Sequence, residues 1–374
     1  MSGGRVIVVG AGIVGASIAE ALALDGWHVT VVDKGPPGGG ATAAGMGHVV
    51  VMDDSPAQIA LTAYSQQLWD QRGPTLPAAG ERMVCGTLWV AADDEEMAEV
   101  YRKSLFYKYR GVAAEVLNAR QLAEAEPNLR SGLAGGLLVP GDSVVYPPPV
   151  AAAMLDVVRQ RGGDVRLGRA AVAMTGGCVT LEDGTRLNAD HTVNAAGSHA
   201  TDLTPGFDLK PRKGHLVITD RYPNFVRHQL IELGYLKSAH KSTGDSVAFN
   251  VQPRPTGQLL IGSSRQYGDS SRDVDYGILS RMLARAAAYM PLVPTLSALR
   301  VWTGLRAATP DKLPLIGPHP EDANLLLATG HEGLGITTSM GTAWLIADHL
   351  AGRPPMIDAA PYDPARLFAG VAHA

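Results

Sequence analysis

Arg5-Val6-Ile7-Val8-Val9-Gly10-Ala11-Gly12-Ile13-Val14-Gly15, continued by Ala16 to Leu24 and then His28-Val29-Thr30-Val31-Val32-Asp33, is the stretch that decides the fold. Val6 to Val9 is a short, unbroken apolar run, the pattern of a parallel strand buried on both faces. A helical pattern follows the glycines, Gly26 ends it, and Asp33 closes the second strand. GxGxxG alone is weak in a glycine-rich chain. Between a strand and a helix, with an acid closing the next strand, it reads as a dinucleotide-binding unit. Gly10 permits the tight turn, Gly12 lets a pyrophosphate approach the backbone, and Gly15 lets helix and strand pack closely. Ile13 and Val14 open the helix, whose free N–H groups and positive dipole end favour phosphate. Asp33 would accept hydrogen bonds from a ribose diol, with Lys34 beside it.

The remaining composition narrows the class. A chain of 374 residues suggests two or three domains. Hydrophobic residues at 46% and charged residues at 18% describe a globular protein. A net charge of −4 argues against a general nucleic-acid binder. Glycine, at 43 residues, exceeds the usual ~7%, which implies tight turns or backbone close to a ligand. Two cysteines remote in sequence, Cys85 and Cys178, make neither a disulfide framework, an iron–sulfur site nor a four-cysteine zinc site, and read as structural thiols. No metal site is expected. The chain enters an apolar strand at once and has no apolar run of the ~18 residues a membrane span needs, so a cytoplasmic protein is expected.

Beyond Asp33, Lys34 to His48 is a long small-residue loop whose backbone can approach something large and flat. Ser55 caps a helix running to about Arg72, with Pro56 in its first turn. Gly86 to Ala91 reads as a strand, Asp93 to Arg110 as a charged, solvated helix, and Asn118 to Glu126 as a short helix. Short strands are expected at Gly135–Pro140 and Ser143–Tyr146. After three prolines, Val150 to Arg161 is helical and Asp164 to Leu167 a strand. Ala171 to Leu187 reads as a hairpin turning at Asp183-Gly184, and His191 to Gly197 as a strand ending in small residues. From Pro211 the pattern becomes sheet-rich, with strands at Lys213–Ile218, Ser246–Val251 and Gln258–Gly262 and a helix from Tyr276 to Met290. The expected nucleotide domain is therefore discontinuous, 1–50, 147–205 and 300–374. A sheet-rich substrate domain occupies 51–146 and 206–299.

Four segments resemble the D-amino-acid oxidase and glycine oxidase family of FAD enzymes, and together they span nearly the whole chain. The glycine motif is the first. The second is the loop Ala41-Thr42-Ala43-Ala44-Gly45-Met46, similar to the family's loop from pyrophosphate to isoalloxazine; Ala41, Thr42 and Ala43 match its phosphate side, and Ala44, Gly45 and Met46 its flavin edge. Val301 to Gly317 follows the family's arginine segment, departing at Ala307 where proline is commoner. Leu325 to Ser339 matches its G-H-x-x-x-G turn through Gly330, His331, Gly333, Leu334, Gly335, Ile336 and Thr337. The strand carrying Ala195 and Gly197 resembles one lying beside the FAD phosphates, and Val172 is a further candidate contact.

The resemblance implies an α/β fold: a Rossmann-like FAD-binding domain of the glutathione-reductase type with an inserted antiparallel-sheet substrate domain. It implies non-covalent FAD and a small amino- or imino-acid substrate whose carboxylate Arg306 would hold as the catalytic-site cation. No obligatory general base is required. Nearer similarity is to bacterial D-hydroxyproline dehydrogenases and hydrogen cyanide synthase flavoprotein subunits, from Gly39 to His48 and Phe249 to Gly257. Asn250, His48 and Glu332 are substrate-site candidates; Asn250 reads otherwise as a contact to a neighbouring strand, and His48 equally as a core histidine. Tyr235 and His240 are weaker candidates. The expected reaction is oxidation of a D-proline or cis-4-hydroxy-D-proline type substrate to an imine. The alternatives are a glycine or sarcosine type oxidase making peroxide, or a non-catalytic flavoprotein subunit. A dehydrogenase would need an electron-accepting partner subunit or quinone, and an oligomer is compatible with everything above.

Overall fold

The computed structural model describes residues 3–52, 54–234 and 244–368. Tyr235 and His240 lie outside the described residues. The chain divides into two units. One comprises the residues up to Gly80, Tyr146–Pro211 and the residues from Arg306 onward; the other comprises Glu81–Val145 and Arg212–Leu305.

In the first unit, six strands form a sheet in the order Leu315–His319, Asp322–Thr329, His191–Asn194, Arg5–Val9, His28–Asp33 and Asp164–Leu167. The central pairs are parallel: Val8 is in register with Val31 on one side and Val193 on the other. Alternation sends Ile7 and Val9 to one face, where they join Val32, Met174, Val179 and Leu181 in a core cluster. Helices cover the other face. Helix Ile13–Leu24 packs against Pro147–Gln160 and Gly335–Ala351. It is buried around most of its circumference, with Ile18 and Leu22 fully inaccessible, each worth about 1.5–3 kcal/mol of burial.

Two expectations need correction here. The helix after Tyr146 begins at Pro147, so Pro147, Pro148 and Pro149 form its first turn instead of preceding it. The first N–H groups of a helix have no intrahelical partner, so prolines there forfeit nothing. Residues 171–188 form three strands, Ala171–Thr175, Cys178–Leu181 and Arg186–Asn188, with a first turn at Gly176-Gly177. A Cβ on Gly176 would stand 2.3 Å from Asp322 Oδ1, so the backbone approach there needs glycine.

Residues 51–80, expected with the inserted domain, also belong to the first unit. Ser55 caps helix Pro56–Arg72 by accepting the Gln58 N–H. That helix docks on Gly335–Ala351: the Gly341 N–H donates to Ser65 Oγ at 3.1 Å, and Trp69 Nε1–H reaches the Ile336 and Thr337 carbonyls. A Cβ on Gly341 would stand 2.4 Å from Ser65 Oγ, so the small residue sets the approach of the two helices.

The second unit is built on eight strands, in the order Ala298–Ala308, Lys210–Arg221, Gln258–Arg265, Ser246–Pro253, Gln229–Glu232, Thr87–Ala91, Gly135–Val139 and Glu115–Asn118. Most neighbours run antiparallel, while Gln229–Glu232 runs parallel to Thr87–Ala91. Helix Tyr276–Tyr289 covers one face over Leu230, Phe249, Val251 and Ile261. Helix Asp94–Lys108 packs against the strands Thr87–Ala91, Gly135–Val139 and Glu115–Asn118. Its buried Lys103 lies 4.4 Å from the Trp89 ring centroid and 5.0 Å from that of Tyr107. The charged helix thus puts one cation inside and the rest in solvent.

Among the described residues, no helix is long and apolar enough to cross a membrane. Cys85 and Cys178 are both free and half-buried. Burial pushes the Cys85 thiol up to about 12.

Candidate active site

The glycine turn is as tight as its sequence demands. Gly10 has φ +117°, and a Cβ there would stand 2.3 Å from the Ala195 carbonyl oxygen. On Gly15 a Cβ would stand 2.0 Å from the Gly10 carbonyl oxygen. Gly12 is different. Its Cβ direction meets only the Thr42 hydroxyl, at 3.2 Å, so Gly10 and Gly15 serve the fold and Gly12 keeps one side of the turn open.

Helix Ile13–Leu24 has no side-chain cap at Gly12. The Ile13 N–H donates to Thr42 Oγ1 at 3.0 Å, and the Gly38 N–H donates to the Ala11 carbonyl at 2.8 Å. These bonds fold the loop after the second strand back onto the turn. Asp33 does more than the sequence suggested: its two carboxylate oxygens accept the Ala11 and Gly35 N–H groups, each at 2.6 Å. It braces the turn and keeps lone pairs for a further donor. Ala195 is held to the first strand by its N–H on the Val9 carbonyl, and Gly197, at φ +59°, accepts the Thr329 hydroxyl at 3.0 Å.

A second uncapped helix start lies beside the first. Helix Gly335–Ala351 follows Leu334 without a side-chain cap. A Cβ on Gly335 would meet His331 at 3.4 Å and Val14 at 3.8 Å, and one on Gly45 would stand 2.9 Å from Ile336 Cδ1. The first turn, the loop around Ala41–Ala44 and the turn from Gly330 to Thr337 therefore converge. Thr337 Oγ1 donates to the His48 carbonyl at 2.9 Å, pinning the loop's far end to the same helix.

Within the second turn, Gly330 has φ +80° and Glu332 φ +50°, with the Glu332 N–H donating to the Ala307 carbonyl at 2.8 Å. A non-glycine residue held at positive φ is uncommon, and here a backbone bond to the arginine segment fixes it. Buried His331 has Nε2 3.0 Å from Thr342 Oγ1, and burial pushes its pKa down to about 3, so the imidazole is neutral. The Arg306 stem lies against Gly333: a Cβ on that glycine would meet Arg306 Cδ at 3.8 Å and Nε at 3.9 Å.

The other candidates fall as follows. Thr42 is buried, Ala44, Met46 and His48 are half-buried, and Lys34, Ala41 and Ala43 are exposed. Val172, on an outer strand of the three-stranded sheet, is 54% exposed. Asn250 belongs to the second unit, on strand Ser246–Pro253, where it pairs with Ile231 and Gly262. Its Oδ1 is buried and has no hydrogen-bond partner among the described residues. The next residue back is anchored: the Phe249 N–H donates to Glu232 Oε1 at 2.5 Å, and Glu232 also pairs with Arg285 and accepts from the Tyr289 hydroxyl. Burial and Glu232 raise the Tyr289 phenol. Among the described residues, no group of three or more His, Cys, Asp or Glu is arranged to hold a metal ion.

In the first unit the arrangement fits FAD. Two neighbouring helix N-termini without side-chain caps, the open side of Gly12 and the Thr42 loop suit a ligand with a pyrophosphate and a flat, electron-accepting end. Gly10, Gly12, Ile13, Val14, Gly15, Asp33 and Thr42 would hold the first, and Gly45, Met46 and Gly335 to Thr337 the second.

Comparison with known proteins agrees. Glycine oxidase of Pseudomonas aeruginosa is 28% identical, over 96% of this chain and 98% of that protein. Hydrogen cyanide synthase subunit HcnC of the same organism is 27% identical, over 97% and 96%. The crystal structure of glycine oxidase from Geobacillus kaustophilus superposes with a TM-score of 0.86 at 27% identity, covering 100% of both chains. The family model described as FAD dependent oxidoreductase, DAO, matches residues 5–349, and the chain belongs to that family, with FAD as its cofactor.

Proposed function

We propose that this protein oxidises the CH–NH bond of a small D-amino or D-imino acid, of the D-proline or cis-4-hydroxy-D-proline type, to the corresponding imine. When bound, FAD would supply the two-electron acceptor for the hydride lost from the substrate α-carbon, flavin N5 being its hydride-accepting atom. Arg306 binds the substrate carboxylate through its guanidinium fork, which suits two parallel hydrogen bonds. Its place beside Gly333, in the turn that opens the uncapped helix at Gly335, is the observation that carries this reading. The uncapped start of helix Gly335–Ala351 would favour negative charge on a reduced ring held there. His331, neutral and bonded to Thr342, shapes that turn without exchanging a proton. Glu332, next to it in the sequence, is the candidate to read the substrate amine.

A second reading, a glycine or sarcosine type oxidase, draws support from the glycine oxidase relatives, and the likeness to HcnC, itself a subunit, supports a partner subunit. One experiment separates these. The purified yellow protein is mixed anaerobically with D-proline, cis-4-hydroxy-D-proline, D-alanine, glycine or sarcosine while absorbance is followed at about 450 nm, then exposed to air. Bleaching by the cyclic D-imino acids with slow return in air is the expected result. Fast return with peroxide, after glycine or sarcosine, selects the oxidase, and bleaching by none of them overturns both.

A further inference from the structure

Helix Asp94–Lys108 of the second unit carries an inner and an outer stripe. Glu96, Val100, Lys103 and Tyr107, spaced four, three and four apart, face the strands it packs on and are buried. The same spacing recurs on the opposite side in Asp94, Ala98, Tyr101, Leu105 and Lys108, all of them exposed. At about 3.6 residues per turn these five fall on one line running the length of the helix. Tyr101 is 57% exposed, Leu105 55%, and Tyr109, one position past the helix end, 85%. The outward line of a surface helix ordinarily carries charged and polar groups, so a row of large apolar and aromatic side chains there marks a contact face.

The order of residues on that line tells what the face meets. It is palindromic about Tyr101: Asp94 lies seven residues before it and Lys108 seven after, Ala98 three before and Leu105 four after. Let a second copy of the helix lie antiparallel across a two-fold axis at Tyr101. Asp94 of each copy then meets Lys108 of the other, once at either end. Leu105 of each falls against Ala98 of the other, a large side chain over a small one, and the two Tyr101 rings meet on the axis. A two-fold contact requires one patch that complements itself, and this patch does so in both charge and size. Neither Asp94 nor Lys108 has an ion-pair partner among the described residues, whereas Arg102 on the flank is engaged by Glu99. A lipid surface suits the face less well, because the exposed acids Asp93, Asp94 and Glu95 would repel anionic headgroups.

We infer that the outer face of helix Asp94–Lys108 binds a second copy of this chain, as the antiparallel, two-fold interface of a homodimer centred on Tyr101. A standard interface buries about 800 Å² per partner, more than one face of a helix of about four turns offers. The dimer is therefore expected to dissociate in the micromolar range.

Sedimentation velocity of the full-length, FAD-loaded protein between about 1 and about 100 μM reads the association directly. A concentration-dependent dimer is the expected result. Leu105→Asp should weaken it by at least about tenfold and keep the melting temperature within about two degrees, because the fold does not use that exposed side chain. Asp94→Lys and Lys108→Asp should each weaken the dimer about tenfold, since either change sets like charges together at both ends, and the combined variant should recover it. Air oxidation supplies a second measurement. Tyr101→Cys, on the axis, should yield a disulfide-linked dimer. Tyr109→Cys, which the register holds about 24 Å from its copy, should not; Cys85 and Cys178 are common to both variants and set the background. A monomer at every concentration overturns the inference. So does a dimer that Leu105→Asp and both single charge reversals leave intact, because another face then holds it. Failure of the combined variant to recover what the single reversals lose contradicts the antiparallel register and overturns it as well. A protein that stays monomeric but pellets with phosphatidylglycerol vesicles, and ceases to in Leu105→Asp, assigns the stripe to a lipid surface and overturns the inference.

Discussion

The hydroxyl of Thr42 accepts the N–H of Ile13 at 3.0 Å, across 29 residues of chain. That bond ties the loop after the second strand to the first turn of the glycine helix, so the two segments expected to hold FAD stand as one piece. It replaces a helix cap with a hydroxyl from elsewhere in the sequence, and caps of this kind contribute about 0.5–2 kcal/mol.

Thr42→Val should therefore weaken FAD retention by about 3- to 30-fold, with Thr42→Ser recovering most of it. Titration of the apoprotein with FAD, followed by quenching of flavin fluorescence, measures this. Equal affinity in Thr42→Val and wild type would contradict the anchoring role.

The three glycines of the turn should separate fold from cofactor. Gly15→Ala forces a Cβ to 2.0 Å from the Gly10 carbonyl and should lower the melting temperature of the apoprotein severely. Gly12→Ala meets only the Thr42 hydroxyl, at 3.2 Å, so the apoprotein should melt near the wild type yet bind FAD far more weakly. Differential scanning calorimetry with and without FAD distinguishes the two variants.

This difference among the glycines was legible in the sequence, because a glycine motif between a strand and a helix has few ways to fold. So was the Ser55 cap. Less was legible where a residue's role depends on strands far away in the chain. Gln229–Glu232 is only four residues long and lies between Ser246–Pro253 and Thr87–Ala91, yet nothing local marks it as a strand. Without it, the pairing that sets Ile231 between Trp89 and Asn250 in the sheet cannot be seen. The Asp33 bonds to Ala11 and Gly35 were hidden for another reason: an acid closing a strand has the same sequence signature whether it faces a ribose or its own turn.

Acid stability should carry the mark of His331. Burial lowers its folded pKa to about 3 from an ordinary 6.5. Below pH 6.5 the unfolded chain takes up a proton there that the folded chain refuses, so stability falls as pH drops from about 6.5 to about 3. The slope from this one group reaches about 1.4 kcal/mol per pH unit. Denaturant unfolding of wild type and His331→Gln across that range should show a shallower fall in the variant. Parallel profiles would mean that His331 is not held neutral.

Removal of Arg306 should leave a folded, yellow protein that no longer grips its substrate. Arg306→Ala is expected to raise KM by about a hundredfold, the scale of a lost charge-assisted pair of hydrogen bonds, and Arg306→Lys to restore only part. Steady-state kinetics with whichever substrate bleaches the flavin checks this.

The most direct measurement pairs that variant with a substrate lacking the group it binds. Anaerobic flavin reduction by D-proline and by pyrrolidine, the same ring without the carboxylate, is followed in wild type and Arg306→Ala. The wild type should strongly prefer D-proline, and that preference should collapse to within a few-fold in the variant. If the preference survives intact in Arg306→Ala, the carboxylate is held elsewhere and the proposed placement of the substrate is wrong.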